Sequence, residues 1–318
     1  MKKAFVVLVL AVLGFGYAQE TRTVTDDLGR TVEVPVNPQR IISGDDNTIG
    51  MPLADFGVPF IGAQARVAED GSLFMRGLGT VYGITFEGSD ITPVSTWWEF
   101  DLEKVAELEP DLIILIEWQQ EQAEQFELIA PTYFVLEVPD PWAVQASIAR
   151  ALGLEDEFEQ RRAIYQEEVA LLREELQIPE GTTYALLGAG EDGIWVSVGA
   201  YNFTTVLSDL GFVPNALTQE LIDEGVVWAE QRSAEILPEL DADVIFMGYN
   251  ASAGFGPQDV IARMDALLPG WCGFLPACAN GNIIFYPQSS MSAPTFDATN
   301  AALDIVGSHF ASRLLISE

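Results

Sequence analysis

The chain reads as an α/β protein made of two similar lobes with mostly parallel sheets, bridged by a single long helix, with a ligand cleft between the lobes. Three observations predict this. Glu155 to Gln177, EDEFEQRRAIYQEEVALLREELQ, has neither glycine nor proline and is built of helix formers. Phe158, Arg162, Tyr165, Val169, Leu172 and Leu176 recur along it at alternating steps of four and three, so one seam is apolar except for Arg162 and the other faces are charged. Segments of matching pattern flank this helix: Glu103 to Leu115, EKVAELEPDLIIL, aligns without a gap on Glu235 to Met247, EILPELDADVIFM, an offset of 132 residues. That period is far too long for a solenoid or propeller and indicates a duplicated lobe. Finally, strand-like and helix-like patterns alternate on both sides, as parallel sheets require.

The opening MKKAFVVLVLAVLGFGYA places Lys2 and Lys3 before an apolar run too short to span a membrane, then Gly16 and Ala18. This predicts a signal peptide over 1–18, cleaved after Ala18. No cysteine stands at the cut, so no lipid anchor is expected, and the mature protein is expected to be soluble and periplasmic. The remainder divides into an N-terminal lobe (19–140), connecting helices (141–177) and a C-terminal lobe (178–318).

In chain order, Thr21 to Val34 alternates around Asp27–Gly29 as a hairpin. Arg40–Ser43 is a short buried strand ending in the polar loop Gly44–Asn47. A helix stopped by Gly57 and a strand over Pro59–Gly62 follow. Ala65 to Trp98, rich in glycine and aromatics, has no clear period and is expected to be an irregular binding surface. Helix 102–108, strand 112–116, helix 121–129 and strand 133–138 complete the first lobe. Asp140 as N-cap, Pro141 in the first turn and Gly153 as a stop define a short helix ahead of the long one. Gly188–Gly193 fits G-x-G-x-x-G, but β-formers Ile194–Val198 follow where a dinucleotide fold needs a helix, so a hairpin turn is expected. Asn202–Leu210 is a helix stopped by Gly211, Ile283–Tyr286 a strand, and Thr299–Leu315 a closing helix. Cys272 and Cys278, six positions apart in an exported chain, are expected to form a disulfide.

Lys and Arg number 15 against 48 Asp and Glu, and losing Lys2 and Lys3 with the leader moves the formal charge from −33 to −35. Nucleic acid and anionic membrane surfaces are therefore poor partners, and no nucleic-acid binding is expected. His309 is the only histidine, which removes His-based nucleophilic catalysis and multi-histidine metal sites. No catalytic constellation, metal site or resident cofactor is expected, and a carboxylate-based exported hydrolase is the alternative from another class. Trp97, Trp98, Trp118, Trp228 and Tyr249 fall near strand ends or just before the repeated helices, and Tyr201 just before a helix. In open α/β sheets this is where ligands collect, so an aromatic cleft is expected.

These features, with DDLGRTVEVPVNPQRIIS, DFGVPFIG and IAPTYFVLEVPDPWAVQASIARALGLEDE, resemble the periplasmic binding proteins of ABC importers for iron siderophores, haem and cobalamin, whose lobes are joined by one long helix. The resemblance spans nearly the whole mature chain. It implies a monomeric, non-enzymatic protein that captures a ferric siderophore and delivers it to a permease dimer in the inner membrane, with cobalamin or haem as the nearest alternative cargo. It also implies that Glu103 and Glu235, one per lobe, dock on the permease; capping of their own helices is the plainer alternative. Arg66, Arg76 and Arg232 are the only basic candidates near the pocket. Too few cations converge for a strongly anionic chelate, so a neutral or weakly charged one held by aromatic stacking is expected. For haem only Tyr82, Tyr201 or Tyr249 could serve as ligand.

Overall fold

The structure, a computed structural model, describes residues 20–314 apart from Glu69 and Trp98. The signal peptide, Trp98 as a ligand residue and the end of the closing helix at Leu315 lie outside the described residues.

Strands β1 (Thr21–Thr25) and β2 (Thr31–Pro35) pair as the expected antiparallel hairpin. The buried Asp26 carboxylate closes its turn, accepting from the backbone N–H of Arg30 at 2.8 Å and from its Nε at 2.8 Å. The first lobe is a sheet of β3 (Ile41–Ser43), β4 (Gly62–Val67), β5 (Leu73–Phe74), β6 (Thr92–Thr96), β7 (Glu99–Phe100), β8 (Leu112–Ile116) and β9 (Thr132–Val135). Its order is β7-β6-β4-β3-β8-β9, parallel except for β7 at one edge and β5, which pairs antiparallel with β4. Helices α1 (Gly50–Asp55), α2 (Arg76–Val81), α3 (Leu102–Glu107) and α4 (Ala123–Glu127) belong to this half.

Two expectations are corrected here. The strand after Gly57 is Gly62–Val67 rather than Pro59–Gly62, fixed by parallel pairing of Ile42 with Gly62 and of Gly62 with Thr92. Its inward side chains include the polar Gln64 and Arg66, both buried, which hide the apolar signal of a core strand. The stretch 65–98 is not irregular throughout, since it contains α2 and β6. Helix α2 holds Gly77 and Gly79 and so has little propensity of its own. A Cβ at Gly77 would come within 2.7 Å of the Met51 sulfur, so α2 packs closely on α1 there and a larger residue would require the Met51 side chain to shift.

Asp140 caps α5 (Pro141–Leu152), accepting from the N–H of Trp142 at 2.9 Å, and Gly153 ends it at φ 77°. The long helix α6 (Glu155–Leu176) is unbroken, with Glu155, Asp156 and Glu157 in its first turn and Arg173 in its last, as the helix dipole favours. Its seam is shared. Phe158 is buried in the first lobe's core with Ile148 and Phe296, whereas Tyr165 and Val169 are buried in the second lobe's core with Phe203 and Phe246. Each fully buried large apolar side chain stabilises by about 1.5–3 kcal/mol, so α6 is held from both ends. A second tie is Asp55, at the end of α1, whose buried carboxylate accepts from Arg161 Nη2 of α6 at 3.0 Å and from the N–H of Phe296 at 3.0 Å.

The second lobe's sheet comprises β10 (Thr183–Ala189), β11 (Ile194–Ser197), β12 (Val213–Pro214), β13 (Ala229–Arg232), β14 (Val244–Tyr249) and β15 (Ile283–Pro287) in the order β13-β11-β10-β14-β15, with β12 beside β10. β12, β10, β14 and β15 run parallel; β11 is antiparallel to both its neighbours, β10 and β13, so this sheet is more mixed than expected. Gly190 and Gly193 close the β10–β11 hairpin, which disposes of the dinucleotide reading. Helices α7 (Asn202–Leu210), α8 (Ala216–Asp223), α9 (Pro257–Leu267), α10 (Pro276–Ala279), α11 (Gln288–Met291) and α12 (Phe296–Leu314) complete the half. Cys272 and Cys278 are bonded, with their Cα atoms 5.5 Å apart.

The internal repeat has a structural counterpart. Asp111, before β8, accepts from the backbone N–H of Gln39 and Arg40 at 2.8 and 2.9 Å, ahead of β3. Its counterpart Asp243, before β14, accepts from the N–H of Thr183 at 2.7 Å, at the start of β10. Val105 and Leu237 are the matching buried anchors. The copies differ where Pro238 interrupts the second: Ala234–Glu239 is a 3-10 turn in place of an α-helix.

Candidate ligand-binding site

Three adjoining cavities lie where the carboxyl ends of the two sheets face each other. One, of about 500 Å³, is lined from the first lobe by Asn47, Arg66, Val67, Phe74, Arg76 and Trp97, and from the second by Asn250, Gln288 and Ser292. A second, of about 330 Å³, lies on the second lobe among Trp195, Tyr249, Phe255, Asp259, Arg263 and Tyr286, and a third, of about 200 Å³, holds Tyr201, Trp228 and Met291. Gln288 borders all three, making one discontinuous cleft.

Its first wall is set by the loop after β3. Gly44 follows that strand where a Cβ would come within 2.7 Å of the Gln119 Oε1 and 2.9 Å of the Ile114 carbonyl, so only glycine lets the chain turn there. The turn continues in Asp45, Asp46, Asn47 and Thr48, all buried. Asp45 Oδ1 accepts from the N–H of Asn47 and Thr48 at 2.9 and 2.6 Å. Asp46 accepts from Arg76 at its backbone N–H (2.7 Å) and Nε (2.9 Å), and Arg76 Nη2 reaches both Asp45 oxygens at 3.1 and 3.0 Å. The two carboxylates beside it raise the Arg76 pKa against the opposing effect of burial. Arg66 is more loosely placed, 3.4 Å from Asp45 and 3.6 Å from Asp46, and burial and the neighbouring Arg76 lower its pKa.

Trp97 has a φ of 56° and is 55% exposed, with Arg66 stacked 4.3 Å from the ring centroid and its carbonyl bonded by Gln64 Nε2. Tyr201 has a φ of 38° and its ring contacts Trp228 at 4.8 Å. Non-glycine residues in the left-handed region cost about 1–3 kcal/mol and gather at ligand sites, and two of this chain's lie at the cleft. Behind Tyr201, Glu137 accepts from Thr48 Oγ1 at 2.9 Å, and burial, then Asp45, pushes its carboxyl above the ordinary range.

The structure thus brings together Arg76, Trp97, Tyr201, Trp228 and Tyr249 among the expected ligand residues. It does not bring in Trp118 or Arg232. Trp118 follows β8, 57% exposed, with its Nε1 donating to Glu117 Oε1 at 2.6 Å, outside the three cavities. Arg232 ends edge strand β13, paired with Glu224 at 3.5 Å and Glu230 at 3.4 Å, also outside them. Tyr82 turns to Asp55 at 3.4 Å and Tyr201 is buried against Glu137, which leaves Tyr249 of the three tyrosines considered for haem. His309 packs edge-on to Phe310, 5.1 Å between centroids, on α12. Glu103 and Glu235 are exposed in the first turns of α3 and of the 3-10 turn 234–239.

Sequence reasoning missed Asp45, Asp46, Asn47, Gln288 and Ser292 as site residues. The first three were marked by a run of polar residues at the end of an apolar strand, where open sheets bind ligands. The other two follow β15 and carried no comparable signal.

Residues 60–290 match the family model described as periplasmic binding protein, and the chain belongs to that family. It is 26% identical over 235 residues to a probable siderophore-binding lipoprotein, YfiY, of Bacillus subtilis (strain 168), covering 72% of this chain and 69% of that one. It is 27% identical over 228 residues to the iron(3+)-hydroxamate-binding protein FhuD of the same organism, covering 70% and 68%. Among solved structures, Staphylococcus aureus SirA complexed with staphyloferrin B superposes with a TM-score of 0.70 at 20% identity, covering 89% of this chain and 96% of that one. The siderophore periplasmic binding protein from the fuscachelin gene cluster of Thermobifida fusca does so at 0.69 and 23% identity, covering 88% and 98%. Both share the fold described above.

Proposed function

We propose that this chain is an extracytoplasmic solute-binding protein that captures a ferric siderophore in its inter-lobe cleft and delivers it to an ABC permease in the inner membrane. The observation that carries the reading is the cavity of about 500 Å³ shared by both lobes, walled by aromatic rings, amides and two guanidinium groups. Such a wall suits a chelate with a partly apolar surface. Asp45 and Asp46 are engaged by Arg76 rather than turned together upon a bare ion. Relatives named for siderophore and ferric hydroxamate binding support the same cargo class.

The finer assignments follow from this reading. Lobe boundaries fall at 140 and 178, with α5 and α6 between. Trp97, Tyr201, Trp228, Tyr249 and Arg76 form the binding set, Glu103 and Glu235 dock on the permease, and no reaction is catalysed. No described helix is long and apolar enough to cross a membrane. The protein acts in the periplasm as a monomer, freed by cleavage after Ala18. The test is titration of purified protein with ferric siderophores, read by tryptophan fluorescence. Saturable binding with a Kd of about 1 μM or tighter is expected; binding of no ferric chelate overturns the reading.

A further inference from the structure

The cleft holds two arginines, yet its cationic character is largely spent within the protein. We propose that the paired carboxylates of Asp45 and Asp46 set the charge class of the cargo, restricting the cleft to neutral or cationic ferric chelates of the trihydroxamate type. The inference rests on the siderophore-capture reading.

Both carboxylates are fixed. Asp46 is fully buried and bound to the backbone N–H of Arg76, so it cannot swing out when a ligand enters. Asp45 is 4% exposed and held by the two N–H groups of its own loop. They take up the Nε and Nη2 edge of Arg76, and Arg66 lies between them and the Trp97 ring. An anionic chelate would approach two immobile carboxylates through guanidinium groups whose charge they already balance, so it meets like charge with no net positive field to offset it. A neutral or cationic chelate meets no such repulsion: it can accept a hydrogen bond from a guanidinium already balanced, and stack on the exposed Trp97.

The remaining walls do not restore a positive field. On α9 the exposed Arg263 rests on Phe255, 4.5 Å from its centroid, and Asp259 one turn earlier brings a carboxylate to the same cavity. Behind the loop, Glu137 adds a further carboxylate.

The experiment measures Kd for three probes on the mature protein: a monocationic linear ferric trihydroxamate, a neutral cyclic ferric trihydroxamate and a trianionic ferric tricatecholate. The trihydroxamates should bind at least about tenfold more tightly than the tricatecholate. The double variant Asp45→Asn/Asp46→Asn keeps an oxygen for the loop N–H groups and removes both charges. It should shift the preference toward the tricatecholate by at least about tenfold. Equal or tighter tricatecholate binding by the wild type overturns the charge assignment and leaves siderophore capture standing; binding of none of the three overturns both. An unshifted preference in a folded double variant removes the role of the two carboxylates, and the wild-type series decides alone if that variant does not fold.

Discussion

The guanidinium of Arg66 lies 4.3 Å from the centroid of the Trp97 ring, covering one face of the indole of a residue that is 55% exposed. One face is therefore occupied by the protein and the other is open, on a backbone held at φ 56°. Trp97→Ala should weaken ferric chelate binding about tenfold, the worth of one aromatic contact, and Trp97→Phe should recover part of it. Because the ring is mostly in solvent, Tm should stay within about 2 °C of wild type. Chelate titration and thermal melts check both.

Glu137 makes a pH prediction. Burial raises its folded-state pKa above the unfolded value, so the folded protein holds that proton more tightly. Its contribution to stability is fully present below the ordinary carboxylate range and is lost as pH rises through the folded pKa. Glu137→Gln removes that titration while keeping an acceptor for Thr48. The variant should melt higher than wild type at pH 7, and the advantage should disappear as pH is lowered through the carboxylate range. Melting curves across pH 4–8 measure it.

Asp55→Ala leaves Arg161 and the N–H of Phe296 without their shared acceptor. Breaking one side of such a buried pair costs about 3 kcal/mol, read by urea denaturation. Arg161 would keep its contact with the Phe296 ring, 4.2 Å from the centroid, so the variant should still fold.

Glu103 and Glu235 are exposed at matching places in the repeat. Glu103→Ala/Glu235→Ala should leave chelate affinity unchanged and abolish uptake of labelled ferric siderophore by cells. Unaltered uptake would assign both carboxylates to helix capping alone.

Most of the fold was legible in the sequence because its largest signals are periodic. The seam of α6, the caps at Asp140 and Gly153 and the aligned repeat depend on spacing that tertiary contacts do not override. β4 and α2 were not legible, since buried Gln64 and Arg66 break one pattern and Gly77 and Gly79 the other, Gly77 lying against the sequence-distant Met51. The site was legible by position more than by member. Trp97, Tyr201, Trp228 and Tyr249, read from strand and helix ends, line the cleft, but Trp118 and Arg232 also stand near such ends and lie outside it. Sequence does not record side-chain direction at an irregular turn, nor that Glu224 and Glu230 hold Arg232 at the sheet edge.

The seam of α6 supplies part of the wall of both hydrophobic interiors, with Phe158 in one and Tyr165 and Val169 in the other. Severing the chain just after Gln177 would strip the second fragment of that wall and leave the first with bare rings facing water. Neither piece should persist alone, while mixing the two should regenerate the whole. The intact protein should accordingly lose its structure in one calorimetric step rather than half by half.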